Sequence, residues 1–400
     1  MHLEMEAVPT NLIAKLTELL DSNSVGVTFL IPLPGGGRLT SEAHGKIQAV
    51  LDRLSSGGNG GRGPIALAYG NGCFAIARYA DAASVYLRIL EREPNNLAAR
   101  FNLGLSYARM GRLRESVAQF TAVIEGGTVG EPPRQAEAYY QRGNVRDELG
   151  ECELALGDYA QALDLRPDYI QAFYNKGVVL ARVGRHRDAI AEFDRVISRR
   201  PTLSNAYLNR GASLDELGEH DQAIADYTAA IRHNPANSAA LFNRARTFQY
   251  LGYHEDAVDD YSRVIEISPG DAEAFNNRGL AFDALDDCQR AVADYLRALA
   301  LNPEFAEVLN NLGAAYESLA EEGQALEKYL AALHADPDYA DAHYNAARMY
   351  LVAGDIDRCV HHLEKALEIE PPLWAEAALD DDLAWVLKLG RLRSQPRDNP

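Results

Sequence analysis

The chain has 400 residues, 47% hydrophobic and 24% charged, a balance that excludes grossly disordered and fibrous classes. Fifty-eight acids against 39 bases give a formal charge of −19 spread along the chain. That field repels phosphate backbones and anionic lipid, so neither nucleic acid nor a membrane surface is an expected partner. Cys73, Cys152, Cys288 and Cys359 stand far apart with no CxxC, which leaves neither a disulfide framework nor a cysteine zinc site.

The start, MHLEME, is acidic and has no apolar core, so no secretory leader is expected. The longest apolar stretch, residues 25–34, falls far short of the roughly 20 residues that span a bilayer. A cytoplasmic protein is the expectation. Residues 1–62 form a non-repeat segment. In it Thr10 is placed to cap an amphipathic helix over residues 11–20, residues 25–31 suit a short strand, and Ser41 is placed to cap a second helix reaching Leu54. Residues 55–63, rich in glycine, read as a flexible linker.

From residue 63 a 34-residue period governs the chain. Prolines recur at 167, 201, 235, 269, 303, 337 and 371, and glycine keeps the same spacing at 143, 177, 211, 279 and 313, with Ala245 filling the gap. Alanine does so at 155, 189, 223, 257, 291 and 325, each followed four residues later by an aromatic: Tyr159, Phe193, Tyr227, Tyr261, Tyr295 and Tyr329. With proline as position 32, glycine stands at position 8, alanine at 20 and the aromatic at 24. Two earlier units begin at Gly63 and Leu97, and five residues, 131–135, interrupt the phase before Ala136. Each unit holds two apolar-periodic stretches the length of a short helix, about 12–14 residues. Small residues at 8 and 20 let the two backbones approach, and the aromatic fills the space between them.

This pattern resembles the tetratricopeptide repeat family over residues 63–373, in nine repeats. The resemblance implies an all-α fold, a right-handed superhelix (α-solenoid) of stacked helix pairs. At its end, residues 374–390 are expected to form a C-terminal capping helix with Leu379, Leu383, Val386 and Leu387 on one stripe and Gly390 beyond it; residues 391–400 are expected to be a disordered tail.

No catalytic motif is present. The glycine runs at 35–37 and 57–63 lack the spacing and lysine of a phosphate loop, and no GxSxG or HExxH occurs. His186, His220 and His254 share position 17 of three repeats, but equivalent atoms of stacked helices lie about 10 Å apart, whereas zinc needs nitrogens about 2 Å away. Packing accounts for them better. Asp380, Asp381 and Asp382 suit a helix start. No metal and no cofactor are expected.

The resemblance places the first helix of each repeat on the concave groove. Position 6 is then Asn102, Asn175, Asn209, Asn243, Asn277, Asn311 and Asn345, with Gln141 in the third repeat. A carboxamide donates and accepts, so it can meet both polar groups of a peptide unit. Alternatively the ladder is inherited scaffold that bonds neighbouring helices. Position 5 adds Phe101, Tyr140, Tyr174, Leu208, Phe242 and Tyr344; positions 9 and 13 add Arg109, Arg182, Arg246 and Arg348 against Asp147, Glu148, Asp215, Glu216, Asp283 and Glu317. The expected function is a non-catalytic adaptor that binds an extended or disordered segment of another protein, basic or mixed in charge. A self-assembling scaffold is a second reading, and an accessory subunit acting on an enzyme through residues 1–62 is a third.

Overall fold

The computed structural model describes residues 63–126, 132–380 and 383–388, together with residues 45, 48 and 49, which are helical. The strand, linker and first helix expected within residues 1–62, Gly390 and the tail lie outside the described residues. The chain divides into two compact units, Met1–Gly218 and Glu219–Pro400. Among the described residues there is no strand.

The first unit holds α1 (Gly63–Ala75), α2 (Tyr79–Arg92), α3 (Leu97–Arg109), α4 (Leu113–Gly126), α5 (Pro132–Glu148), α6 (Cys152–Leu165), α7 (Ile170–Arg182), α8 (His186–Arg199) and α9 (Ser204–Asp215). The second holds α10 (His220–His233), α11 (Ser238–Tyr250), α12 (His254–Ile267), α13 (Ala272–Ala284), α14 (Cys288–Leu301), α15 (Ala306–Ser318), α16 (Glu322–Ala335), α17 (Ala340–Val352), α18 (Ile356–Ile369), α19 (Leu373–Leu379) and α20 (Leu383–Lys388). Within each unit successive helices stack in chain order, the expected all-α solenoid organisation. Within a unit each helix packs on the next, and the first helices of neighbouring repeats also touch one another. The first helices therefore form the closer-packed layer of each stack.

Local chemistry sets the helix ends. The residue before each position-32 proline closes the second helix outside the α region, with φ between −127° and −139°. Proline crowds its predecessor out of the α region, so the helix stops there. Between the two helices position 15 is left-handed, and glycine holds it at 111, 150, 184, 218, 252 and 354. Asp286 and Ala320 occupy the same place with φ of 59° and 56°.

The repeated core is as tight as the spacing implies. Ala155, Ala189, Ala257, Ala291 and Ala325 are fully buried. A Cβ at Gly177 would lie 2.8 Å from the Phe193 ring, and one at Gly279 would lie 2.6 Å from the Tyr295 ring. The buried hydroxyls need acceptors, and the first helix supplies them: Asn71 for Tyr86, Asn144 for Tyr159, Gln249 for Tyr261, Asp283 for Tyr295 and Glu317 for Tyr329.

The C-terminal cap departs from the single helix expected. It is two short helices broken at Asp380, whose backbone turns extended (ψ 114°) and whose Oδ1 accepts from the Leu383 amide, capping α20. Leu383 and Val386 are buried as expected, but the break turns Leu379 outward to 84% exposure.

The last repeat also holds a histidine pair. His343 Nε2 lies 3.1 Å from the Pro337 carbonyl oxygen, which can only accept, so Nε2 carries the proton. Its Nδ1 then accepts from His362 Nδ1–H at 2.9 Å, and Tyr350 stacks on the His362 ring.

Three expectations follow. Ala320→Gly removes a left-handed penalty of about 1–2 kcal/mol and returns about 0.4–1 kcal/mol of unfolded-state entropy. It should raise the urea midpoint modestly. Ala189→Leu overpacks the interface of α7 with α8 and should cost roughly 1–3 kcal/mol in the same measurement; an unchanged midpoint would place Ala189 outside the contact. The histidine pair gives the third. Burial, then the neighbouring His343, pushes His362 down to about 4, and burial lowers His343 as well. Unfolded imidazoles protonate near pH 6.5, so between that pH and about 4 the unfolded chain binds more protons, and stability falls as pH drops. Thermal melts across that window should show a smaller acid loss in a His343→Phe, His362→Leu double variant than in the parent chain.

Candidate functional site

The first-helix layer of each unit carries the position-6 ladder, and its bonding has a common form. In the first unit Asn175 Nδ2 donates to the Tyr140 hydroxyl oxygen at 3.1 Å and to Asn144 Oδ1 at 2.8 Å. Asn209 Nδ2 donates to the Tyr174 hydroxyl oxygen at 2.9 Å. In the second unit Asn311 donates to Asn276 Oδ1 at 3.1 Å and Asn345 to Asn310 Oδ1 at 3.0 Å. Every one of these bonds reaches back to position 5 or 9 of the preceding repeat. Where its asparagines are bonded, the ladder is thus a set of inter-repeat ties made through the amide N–H. The carboxamide oxygens of Asn175, Asn209, Asn311 and Asn345 accept no hydrogen bond from the described residues, and these side chains are only half-buried.

Four residues expected on the groove are withdrawn from the surface. Asn102 is fully buried, with its amide on Asn71 Oδ1 at 2.9 Å, and Tyr174 is 3% exposed. Phe101 and Leu208 are likewise buried. Tyr140, Phe242 and Tyr344 keep partial exposure.

The arginines divide into two classes. Arg182 is exposed but paired with Asp147. Arg348 pairs with Glu317 at 2.9 Å and Asp380 at 3.4 Å. Arg246 is exposed and makes no ion pair or hydrogen bond among the described residues, and the Asn243 and Asn277 side chains make none either.

Beside the rungs of the first unit lies a half-open hollow of about 130 Å³. Val178, Ala181, Phe193 and Ala212 give it apolar walls; His186, Asn209, Ser213 and Glu216 give it polar ones. His186 Nδ1 is buried there without a hydrogen-bond partner. In the second unit His254 Nδ1 is similarly unpartnered, while His220 packs on the Tyr250 ring, centroids 4.9 Å apart. Among the described residues no three histidine, cysteine or carboxylate side chains converge as metal ligands, and no helix is long and apolar enough to cross a membrane.

A second ladder escaped the sequence reading. Arg142 grips Asp158 at 2.7 and 2.9 Å, Arg244 grips Asp260 at 2.7 and 2.8 Å, and Arg278 holds Asp294 at 2.7 Å with both nitrogens. Lys176 pairs with Glu192 at 2.8 Å. The third guanidinium nitrogen reaches a hydroxyl on the second helix of the preceding repeat: Thr121, Thr228 or Ser262. One arginine at position 7 thereby joins three helices. The signal was present as a cation and an acid 16 residues apart at the 34-residue period, a spacing that has meaning only once the two helices are folded together.

The pairs bear on stability. Arg278→Met should leave Asp294 buried and uncompensated and cost about 3–5 kcal/mol. Arg278→Met with Asp294→Leu should recover most of that loss, as replacement of a whole buried pair by apolar groups commonly does. Urea melts of the two variants measure it, and equal losses would mean that the pair carries no coupling.

Tetratricopeptide repeat profiles match residues 74–130, 103–170, 140–204 and 323–371, residues 204–237 and residues 238–271, and a TPR repeat profile matches residues 287–319. No curated protein matches the chain. Among solved structures, the C-terminal part of a TPR repeat-containing protein from Cytophaga hutchinsonii is similar at 17% identity with a TM-score of 0.53, over 62% of this chain and 99% of that one. MamA matches at 28% identity with a TM-score of 0.39, over 41% of this chain and 96% of its own. YrrB, described as a TPR protein with an unusual peptide-binding site, matches at 22% identity with a TM-score of 0.40, over 49% of this chain and 97% of its own.

Proposed function

The chain belongs to the tetratricopeptide repeat family, and on that premise we propose that it is a non-catalytic adaptor whose first-helix faces hold an extended segment of a partner protein. One observation carries the reading. The rungs are fixed through their N–H ends to the preceding repeat, which leaves carboxamide oxygens at Asn175, Asn209, Asn311 and Asn345 free to accept from a peptide N–H. A fixed acceptor loses little entropy on binding, which favours the contact.

Spacing sets the length of segment that fits. In the second unit Asn243, Asn277, Asn311 and Asn345 make three intervals, roughly 24–30 Å at the packing distance of helices. An extended peptide advances about 3.3 Å per residue, so about 7–9 residues span those rungs. Each rung contributes about 0.5–1.5 kcal/mol net, less than the roughly 1–2 kcal/mol per residue needed to order the peptide. Apolar contacts must supply the rest. Tyr140, Phe242 and Tyr344 offer partly exposed rings, and the hollow beside Asn209 has room for a small apolar side chain.

A random 12-residue peptide library displayed on phage and selected on the immobilised full chain tests this reading. Selected peptides should bind a chain carrying Asn209→Ala, Asn243→Ala and Asn277→Ala more weakly, with helix content by circular dichroism unchanged. Equal binding to both chains, or no binders at all, would remove the groove as the site.

A further inference from the structure

We infer that the segment before the repeats is a ligand of its own chain: a helix over residues 41–54 lies along the first-helix face of repeats one and two and shuts those two rungs. The inference concerns only the start of the groove, and it stands whether or not the rest of the groove takes a partner.

Burial along the ladder changes abruptly after the second repeat. Positions 6 and 9 are Ala68 and Asn71 in the first repeat, 4% and 2% exposed, and Asn102 and Leu105 in the second, 0% and 5% exposed. From the third repeat onward every residue at these positions, from Gln141 and Asn144 to Asn345 and Arg348, is half-buried or exposed. The neighbouring helices do not account for the step. α3 is packed by α1, α2, α4 and α5, and α7 is packed in the same way by α5, α6, α8 and α9, yet Asn175 and Val178 of α7 keep partial exposure. α1 sharpens the contrast, because no helix pair precedes it among the described residues. An end helix should be among the most open, and this one is among the most closed. A cover shared by α1 and α3 lies across their groove side, not on the end of the stack.

The atoms sealed inside show what kind of cover it is. Asn71 Nδ2 and Asn102 Oδ1 are buried without a hydrogen-bond partner. An extended strand on that rung would bring backbone N–H groups to Asn102 Oδ1. A helix spends its N–H groups internally and presents side chains alone, so an apolar helical face leaves both atoms unmet. Leu67, Phe101 and Leu105, 6%, 4% and 5% exposed, give that face an apolar seat.

The segment before α1 supplies such a face. Residues 45, 48 and 49 are helical, with Gly45 and Ala49 exposed and Gln48 half-buried. At 3.6 residues per turn Ile47, Val50, Leu51 and Leu54 fall on the side of that helix away from Gly45 and Ala49. A helix over residues 41–54 is about 21 Å long, enough to cover two rungs about 10 Å apart. Residues 55–62 can reach about 26–29 Å back to α1. The groove open to a partner then begins at the third repeat.

Photo-crosslinking on the full chain tests the inference. p-Benzoylphenylalanine in place of Gln48, on the flank of the apolar stripe, should crosslink within one chain to α1 or α3, as read by mass spectrometry of the digested monomer band. Adding Ile47→Asp and Leu51→Asp to that chain should lower the yield about tenfold or more, because two charges would have to enter an apolar seat. Hydrogen exchange of α7 and α8 should match the parent chain, which shows that the remaining repeats are intact. Crosslinks confined to α2 or α4, crosslinks to a second copy, or no crosslink at all would overturn the inference. A yield that survives both aspartates would do the same.

Discussion

The close approach of two helix backbones within each repeat is the constraint on which the rest depends. Gly177 lies against the ring of Phe193 and Gly279 against that of Tyr295 with no room for a Cβ at ordinary contact distance, while Ala189 and Ala291 let the second helix in from the other side. A pair this short has too little apolar surface to be stable alone. Its remaining faces must be covered by the neighbouring repeats, and the stack follows.

Apolar stacking by itself fixes neither register nor orientation between neighbours, and directional bonds provide both. The asparagine rungs tie first helix to first helix. The position-7 arginines tie a first helix to its own second helix and to the second helix before it, with bonds that are costly to leave unmade when buried. Toward the C-terminus this second set ends: Leu312 and Ala346 stand at position 7, and His362 stands where an aspartate would. The histidine pair of α17 and α18 keeps a polar bond in that place at neutral pH.

The proposed adaptor role rests on what the ties leave over. A rung that spends its N–H on the neighbouring repeat keeps an oxygen, and a rung that loses its acceptors keeps everything. The first kind is suited to the backbone of any extended segment.

The sequence by itself determined the repeat, its helix boundaries and its core. Proline, glycine, alanine and aromatic act through their own backbone and volume, and those properties do not depend on distant residues. Asn175 and Asn209 were visible as a ladder for the same reason, from spacing alone. Whether Asn102 or Tyr174 reaches the surface was decided only by tertiary structure, because burial depends on how closely the next helix lies. The split of the cap at Asp380 came from a side chain competing for a backbone amide, a local choice that the apolar stripe does not encode. The Arg–Asp pairs and the bonded or unbonded state of each rung likewise required the fold: a hydrogen bond is made or missing according to which residue, 16 positions away for the pairs and 31 to 35 for the rungs, has been brought to about 3 Å.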